Sequence, residues 1–107
     1  MLTFYVGASN VVELASLTNA VTGAVDNGAT VTVTITDSTG TTNISGDTFP
    51  KAMGYVSASS GKYRATVSAN LAITAGTRYR AIINVTGSAG DKDRREIPIM
   101  AAYRQET

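Results

Sequence analysis

The stretch Ile73-Thr74-Ala75-Gly76-Thr77-Arg78-Tyr79 decides how the rest of the chain is read. An apolar residue, a tight glycine turn and a tyrosine three residues on make a tyrosine corner. In such a corner the chain bends between β-layers and the phenol hydroxyl returns to an upstream backbone group. Ile73, Gly76 and Tyr79 are therefore expected to be structural, and the motif names no chemistry.

Outward from the corner, the chain alternates with the period of a strand. Residues 78–86 place Tyr79, Ala81, Ile83 and Val85 on one face and Arg78, Arg80, Asn84 and Thr86 on the other, as successive side chains in a strand must. Ile82 breaks the pattern and predicts a covered patch on the outer face. Residues 29–36 set Val31, Val33 and Ile35 against Thr30, Thr32, Thr34 and Thr36, bracketed by Asp26-Asn27-Gly28 and Asp37-Ser38-Thr39-Gly40. Asp and Asn bond their own backbone in turns, and Gly accepts positive φ. Residues 62–69 repeat the logic with Tyr63, Ala65, Val67 and Ala69 inward, after the turn Ser59-Ser60-Gly61.

The ends are read more coarsely. Residues 2–6 alternate and residues 11–17 are apolar, joined by Gly7-Ala8-Ser9-Asn10, which predicts two strands, drawn here as a hairpin. Residues 43–58 hold one or two short strands near Ile44 and Tyr55-Val56, interrupted at Phe49-Pro50. A charged loop over residues 91–96 leads into a last strand at 97–104, where Pro98 cannot donate to a ladder and so marks an edge or a bulge. Short strands at near-regular spacing predict an all-β fold: one antiparallel β-sandwich of about seven strands over residues 1–107. Residues 104–107 are expected to be a disordered tail.

Composition removes most chemistry. The chain has no Cys and no His, hence no disulfide, thiolate nucleophile or imidazole base, and few of the donors that zinc, haem or iron–sulfur sites need. Nine basic residues against eight acidic ones leave a formal charge of +1, too little to draw the chain to nucleic acid or anionic lipid. No run of about 18 apolar residues suggests a membrane span, and the first residues read as a strand rather than a secretory leader. A soluble product made in the cytoplasm, without cofactor, is the expectation.

The remaining motifs have plain readings. Ser60-Gly61-Lys62 lacks the earlier Gly and the following Ser or Thr of a phosphate-binding loop. Asp26, Asp37, Asp47, Asp91 and Asp93 fall in loops but show no calcium-loop spacing. Asn43-Ile44-Ser45 and Asn84-Val85-Thr86 match the glycosylation acceptor pattern, which matters only in a secreted eukaryotic chain. The five tyrosines lack a Trp to complete a sugar platform. No acid and base converge, so an enzyme is not expected.

Read in order, Gly23-Ala24-Val25-Asp26-Asn27-Gly28-Ala29-Thr30-Val31, Asp37-Ser38-Thr39-Gly40, Gly61-Lys62-Tyr63 and Leu71-Ala72-Ile73-Thr74-Ala75-Gly76-Thr77-Arg78-Tyr79 resemble short immunoglobulin-like virion proteins of tailed bacteriophages. The similarity spans residues 10–104. The same skeleton also resembles bacterial adhesin and invasin-type modules. Ala75 stands where Pro is common in related domains, and no Trp is present for the buried position of antibody domains. The resemblance implies an immunoglobulin-like β-sandwich and a non-catalytic virion protein. It would decorate the capsid or fill the head–tail connector, contacting capsid, portal or connector proteins as a homo-oligomer. The residues implied for docking are Leu2, Phe4 and Val6 of the first strand, Asp91, Lys92, Asp93, Arg94 and Arg95 of the charged segment, and Pro98 and Tyr103 of the last edge. The alternative is an adhesin or fibre module that recognises a surface glycan or protein through its loops.

Overall fold

The computed structural model describes residues 2–104. Seven strands, β1 (Leu2–Tyr5), β2 (Asn10–Leu14), β3 (Thr30–Asp37), β4 (Lys51–Tyr55), β5 (Tyr63–Val67), β6 (Arg78–Thr86) and β7 (Lys92–Ala102), form one mixed sheet in the order β1-β7-β6-β3-β4-β5-β2. No helix occurs among the described residues. The sheet comes close to a barrel, and β4 hands its pairing from one neighbour to the next along its length. Lys51, Ala52 and Met53 pair with β3, whereas Gly54 and Tyr55 pair with β5.

The alternation in the sequence sets which face is dry. Val31, Val33 and Ile35 of β3, Tyr63, Ala65 and Val67 of β5, and Tyr79, Ala81, Ile83 and Val85 of β6 all lie in one core cluster with Phe4, Val12, Leu14 and Ile99. Burying each Val, Ile or Phe side chain contributes about 1.5–3 kcal/mol. Ala69 lies past the end of β5 and is exposed. Ile82 is only 6% exposed but stands outside that cluster. The turn after β3 folds over it: a Cβ on Gly40 would sit 3.9 Å from Ile82 Cδ1 and 3.5 Å from Arg80 Nη1.

Three expectations are corrected. First, β1 and β2 are not a hairpin: β1 runs parallel to β7 in the register Leu2↔Ile99 to Tyr5↔Ala102, and β2 pairs with β5. The sheet is therefore mixed, not purely antiparallel. The Asn10 side chain supplies the physical reason. It accepts from Tyr5 N–H at 2.9 Å and donates to Tyr5 O at 3.1 Å, taking the groups a hairpin partner would use. Parallel docking also puts Phe4 at 1% exposure. Second, β7 begins at Lys92, so residues 92–96 are strand rather than loop; they pair with Thr86 through Ile82. All five are exposed, so no apolar period marked them. Third, of the one or two short strands expected over residues 43–58 only β4 forms, after Phe49-Pro50. Near Ile44 there is an isolated bridge, Thr36↔Asn43, and Ile44 donates its N–H to Ile35 O at 2.9 Å and packs against the core.

Two tyrosine hydroxyls tie loops to strands. Thr74 N–H donates to Tyr79 Oη at 2.8 Å, and Gly76, at φ 84°, donates its N–H to Ala101 O at 2.8 Å. Tyr63 is 1% exposed; its hydroxyl donates to Asp26 O at 2.8 Å and accepts from Ala29 N–H at 3.0 Å. Next to it the backbone allows no side chain at Gly61. That residue has φ 89°, and a Cβ there would lie 2.8 Å from Leu17 O.

A buried polar group left without its partner costs more than one that water can reach. Tyr63→Phe strands both Asp26 O and Ala29 N–H, whereas Tyr79→Phe frees one N–H on the exposed residue Thr74. Urea unfolding should show a loss of about 2 kcal/mol for the first and about 1 kcal/mol for the second. The reverse ranking would contradict this account.

Candidate docking pole

The loop between β2 and β3 and the turn between β6 and β7 meet at one end of the molecule. Residues 18–25 form a small finger, with a bridge between Thr18 and Val25. Asn19 organises its tip: Oδ1 accepts from Val21 N–H at 2.8 Å and Thr22 N–H at 3.3 Å, and its carbonyl accepts from Gly23 N–H at 2.7 Å. The finger thus holds Val21 out at 71% exposure and Val25 at 47%.

Asp26, 3% exposed, joins this finger to the far turn. Its Oδ2 accepts from Ser88 N–H at 3.0 Å and Asn19 Nδ2 at 3.4 Å, and its Oδ1 accepts from Gly28 N–H at 3.1 Å. These donors, the Ser88 amide foremost, hold the carboxyl below its usual value despite burial. A second tie runs from Ala20 N–H to Asp91 Oδ2 at 3.1 Å. Between finger and β7 lies a pocket of about 260 Å³ walled by Leu17, Thr18, Asp91, Lys92, Asp93 and Arg95. A shallower groove of about 380 Å³ runs past Asn84, Thr86, Lys92 and Arg94.

The residues expected to dock fall in two places. Asp91, Lys92, Asp93 and Arg95 wall the pocket, and Arg94 lines the groove. Leu2, Phe4, Val6, Pro98 and Tyr103 lie along or beside the second half of β7. At roughly 3.3 Å per residue Pro98 is only about 10 Å past Arg95, whereas the strand's far end, next to Tyr103, is about 33 Å from Lys92. Phe4 is core, and Leu2 and Val6 pack against it, so Phe4 offers no side chain to a partner. Tyr103 is 69% exposed. Arg104 lies over the Tyr5 ring, 4.4 Å from its centroid. The rest of the expected tail, residues 105–107, lies outside the described residues.

The charged strand neutralises itself. Arg95 pairs with Asp93 at 3.2 Å, and Glu96 takes Arg80 at 2.9 Å and Arg94 at 3.8 Å. These pairs are exposed and individually worth little. Asp37 binds Thr39 Oγ1 at 2.6 Å and the N–H groups of Thr39 and Thr41, with the Thr39 hydroxyl chiefly responsible for a pKa of about 2. Asp47 accepts from Ser68 N–H at 2.8 Å and pairs with Lys51, which lowers its pKa too. Among the described residues no group of three or more Asp and Glu side chains could hold a metal ion.

Sequence reading missed Asn10, Asn19, Ser88 and Val21. Only Val21, an apolar residue stranded among Ala, Thr and Gly, carried a visible signal.

Three carboxylates with lowered pKa values contribute stability that is complete above the ordinary value of 3.8 and is lost as they protonate. The melting temperature should be level above pH 5 and fall as pH drops from 4 toward 2, and Asp37→Asn should flatten the lower part of that fall. A melting temperature independent of pH in this window would contradict the assignment. No protein family, curated protein or solved structure matches the chain.

Proposed function

We propose that the chain is an immunoglobulin-like β-sandwich that serves, without catalysis, as a structural component of a tailed-phage particle. It docks there as several copies on capsid, portal or connector proteins. Strand pairing supports the sandwich. Constant-type immunoglobulin domains place A, B, E and D in one sheet and C, F and G in the other. Here β2, β5 and the end of β4 correspond to B, E and D, and β3, β6 and β7 to C, F and G. In this reading β1 is a first strand moved onto β7.

The observation that carries a docking role is the pole. Three hydrogen bonds, Ser88 N–H to Asp26, Ala20 N–H to Asp91 and Asn19 Nδ2 to Ser88 Oγ, fix the finger against the β6–β7 turn. Val21 and the pocket beside the finger are therefore presented without an ordering cost at the moment of binding. An apolar tip beside a mixed-charge pocket suits a protein surface: Val21 and Val25 supply desolvated contact, while Lys92 and Asp91 supply register. Asp26, Asp37 and Asp47 are committed to backbone amides of turns and loops, and Glu13, Asp93 and Glu96 are paired with arginines.

The test is a mass-spectrometric inventory of purified particles, with cryo-EM localisation of the chain. The chain should be present in symmetric copies with the finger at the contact. Particles assembled without it would contradict the proposal. Val21→Asp should leave the melting temperature within a few degrees of the parent, since Val21 touches no core, yet lower the amount retained on particles at least tenfold. Full retention would remove the finger from the contact.

A further inference from the structure

Hydrogen-bonding direction alternates along a strand, so the bonds within each ladder fix which residues face outward at its free side. On β7, Ala101 N–H donates to Thr77 O and Asp91 O accepts from Gly87 N–H. The odd residues therefore face β6 and the even ones face away. That outer edge is blunted. Arg94 N–H is taken by Asp93 Oδ1 at 2.8 Å, Pro98 has no N–H, and beyond it β1 covers the strand. On β1 the outward residues are Thr3 and Tyr5, because Val6 N–H points to Ala102 O. Asn10 consumes both groups of Tyr5.

The β2 edge differs. Val56 N–H donates to Lys62 O, and Ser68 N–H to Asp47 Oδ2, so the even residues of β5 face β4 and the odd ones face β2. In the register Asn10↔Val67 to Leu14↔Tyr63, the even residues of β2 then face β5. Val11 and Glu13 turn their N–H and C=O outward, and no described residue bonds to them. Val11 is 48% exposed and the Glu13 side chain 39%.

We propose that this edge pairs with the same edge of a second copy, antiparallel about a two-fold axis beside Val12. Self-complementarity carries the choice of partner. Outward residues two apart match their own reversed copy: Val11 faces Glu13 of the other chain and Glu13 faces its Val11. Each such pair exchanges both bonds and leaves no group over. The charges fit as well. The two Glu13 side chains are diagonal rather than opposite, and each is held by its own Arg64 at 2.7 Å. The closed two-fold contact joins the β4-β5-β2 portions of two molecules into one continuous sheet and ends there, since an isologous pair uses up its own edge. The contact is small, so it forms at high local concentration and not in dilute solution. It depends only on the β2 edge and stands whether or not the chain belongs to a virion.

Sedimentation of the full chain over a concentration series, with amide exchange followed by NMR at each concentration, tests it. The average mass should rise toward that of a dimer. The Val11 and Glu13 amides should exchange at least tenfold more slowly at the top of the series than at the bottom, while Thr3 and Lys92 stay unchanged. Val11→Pro removes one outward N–H without touching a β5 bond and should hold the chain as a folded monomer throughout. A monomeric mass at every concentration would overturn the proposal. So would a dimer in which Val11 and Glu13 exchange freely, or undiminished association of folded Val11→Pro. If the variant does not fold, the wild-type exchange pattern alone decides.

Discussion

The Tyr63 hydroxyl is the constraint on which the arrangement depends. It sits at the end of a core side chain that is 1% exposed, and it bonds the backbone of Asp26 and Ala29. Those bonds fix the point where the β2–β3 connection enters β3. Asp26 in turn holds Gly28, Asn19 and Ser88 through its carboxylate. One side chain rooted in β5 thereby orders a long loop and, through it, the β6–β7 turn. With no disulfide, a satisfied polar relay of this kind, buried at Tyr63, Asp26 and Asn19, supplies the cross-link between the two ends of the sheet, because those buried members would be costly if stranded in a low-dielectric interior.

Strand edges are the second organising feature. A free edge invites pairing with another chain, and proteins blunt it with charge, proline or side-chain caps. The long edge of β7 carries all three, as Arg94 and Arg95, Pro98, and the Asp93 cap on Arg94. The short edge of β1 is closed by Asn10. This distribution concentrates the capacity for strand addition on β2 and leaves the loop pole to act through side chains. It also recasts the charged segment. Asp91 through Arg95 is mostly a paired strand whose charges largely satisfy one another, and Asp91, Lys92, Asp93 and Arg95 wall the pocket under the finger.

How much of this was legible in the sequence follows from the physics of each segment. Where one face is dry and the other wet, as over Val31 to Thr36 or Tyr79 to Thr86, alternation gave face and extent directly, and β6 has the bounds expected for it. Where both faces are exposed, as over Lys92 to Glu96, no periodicity existed to read and the strand looked like a loop. The placement of β1 on β7 turns on a single Asn10 amide standing in for a neighbouring strand, which local pattern cannot foresee. Asp26 and Asp37 were identifiable as turn residues. That Asp26 would also reach Ser88 across the molecule was not, because the contact spans 62 residues of sequence. The pole was half visible: its charged wall stood out, whereas the finger hid behind small residues.

Native-state hydrogen exchange at the Ala29 amide, the donor to Tyr63 Oη, tests the central claim most directly. If the tyrosine relay is part of the cooperative core, Ala29 and Ser88 exchange only by global opening, with the same free energy as buried Val33 and Ile83. If Ala29 and Ser88 instead exchange through a low-energy local opening while Val33 and Ile83 remain protected, the relay is peripheral and the fold is held by apolar packing alone.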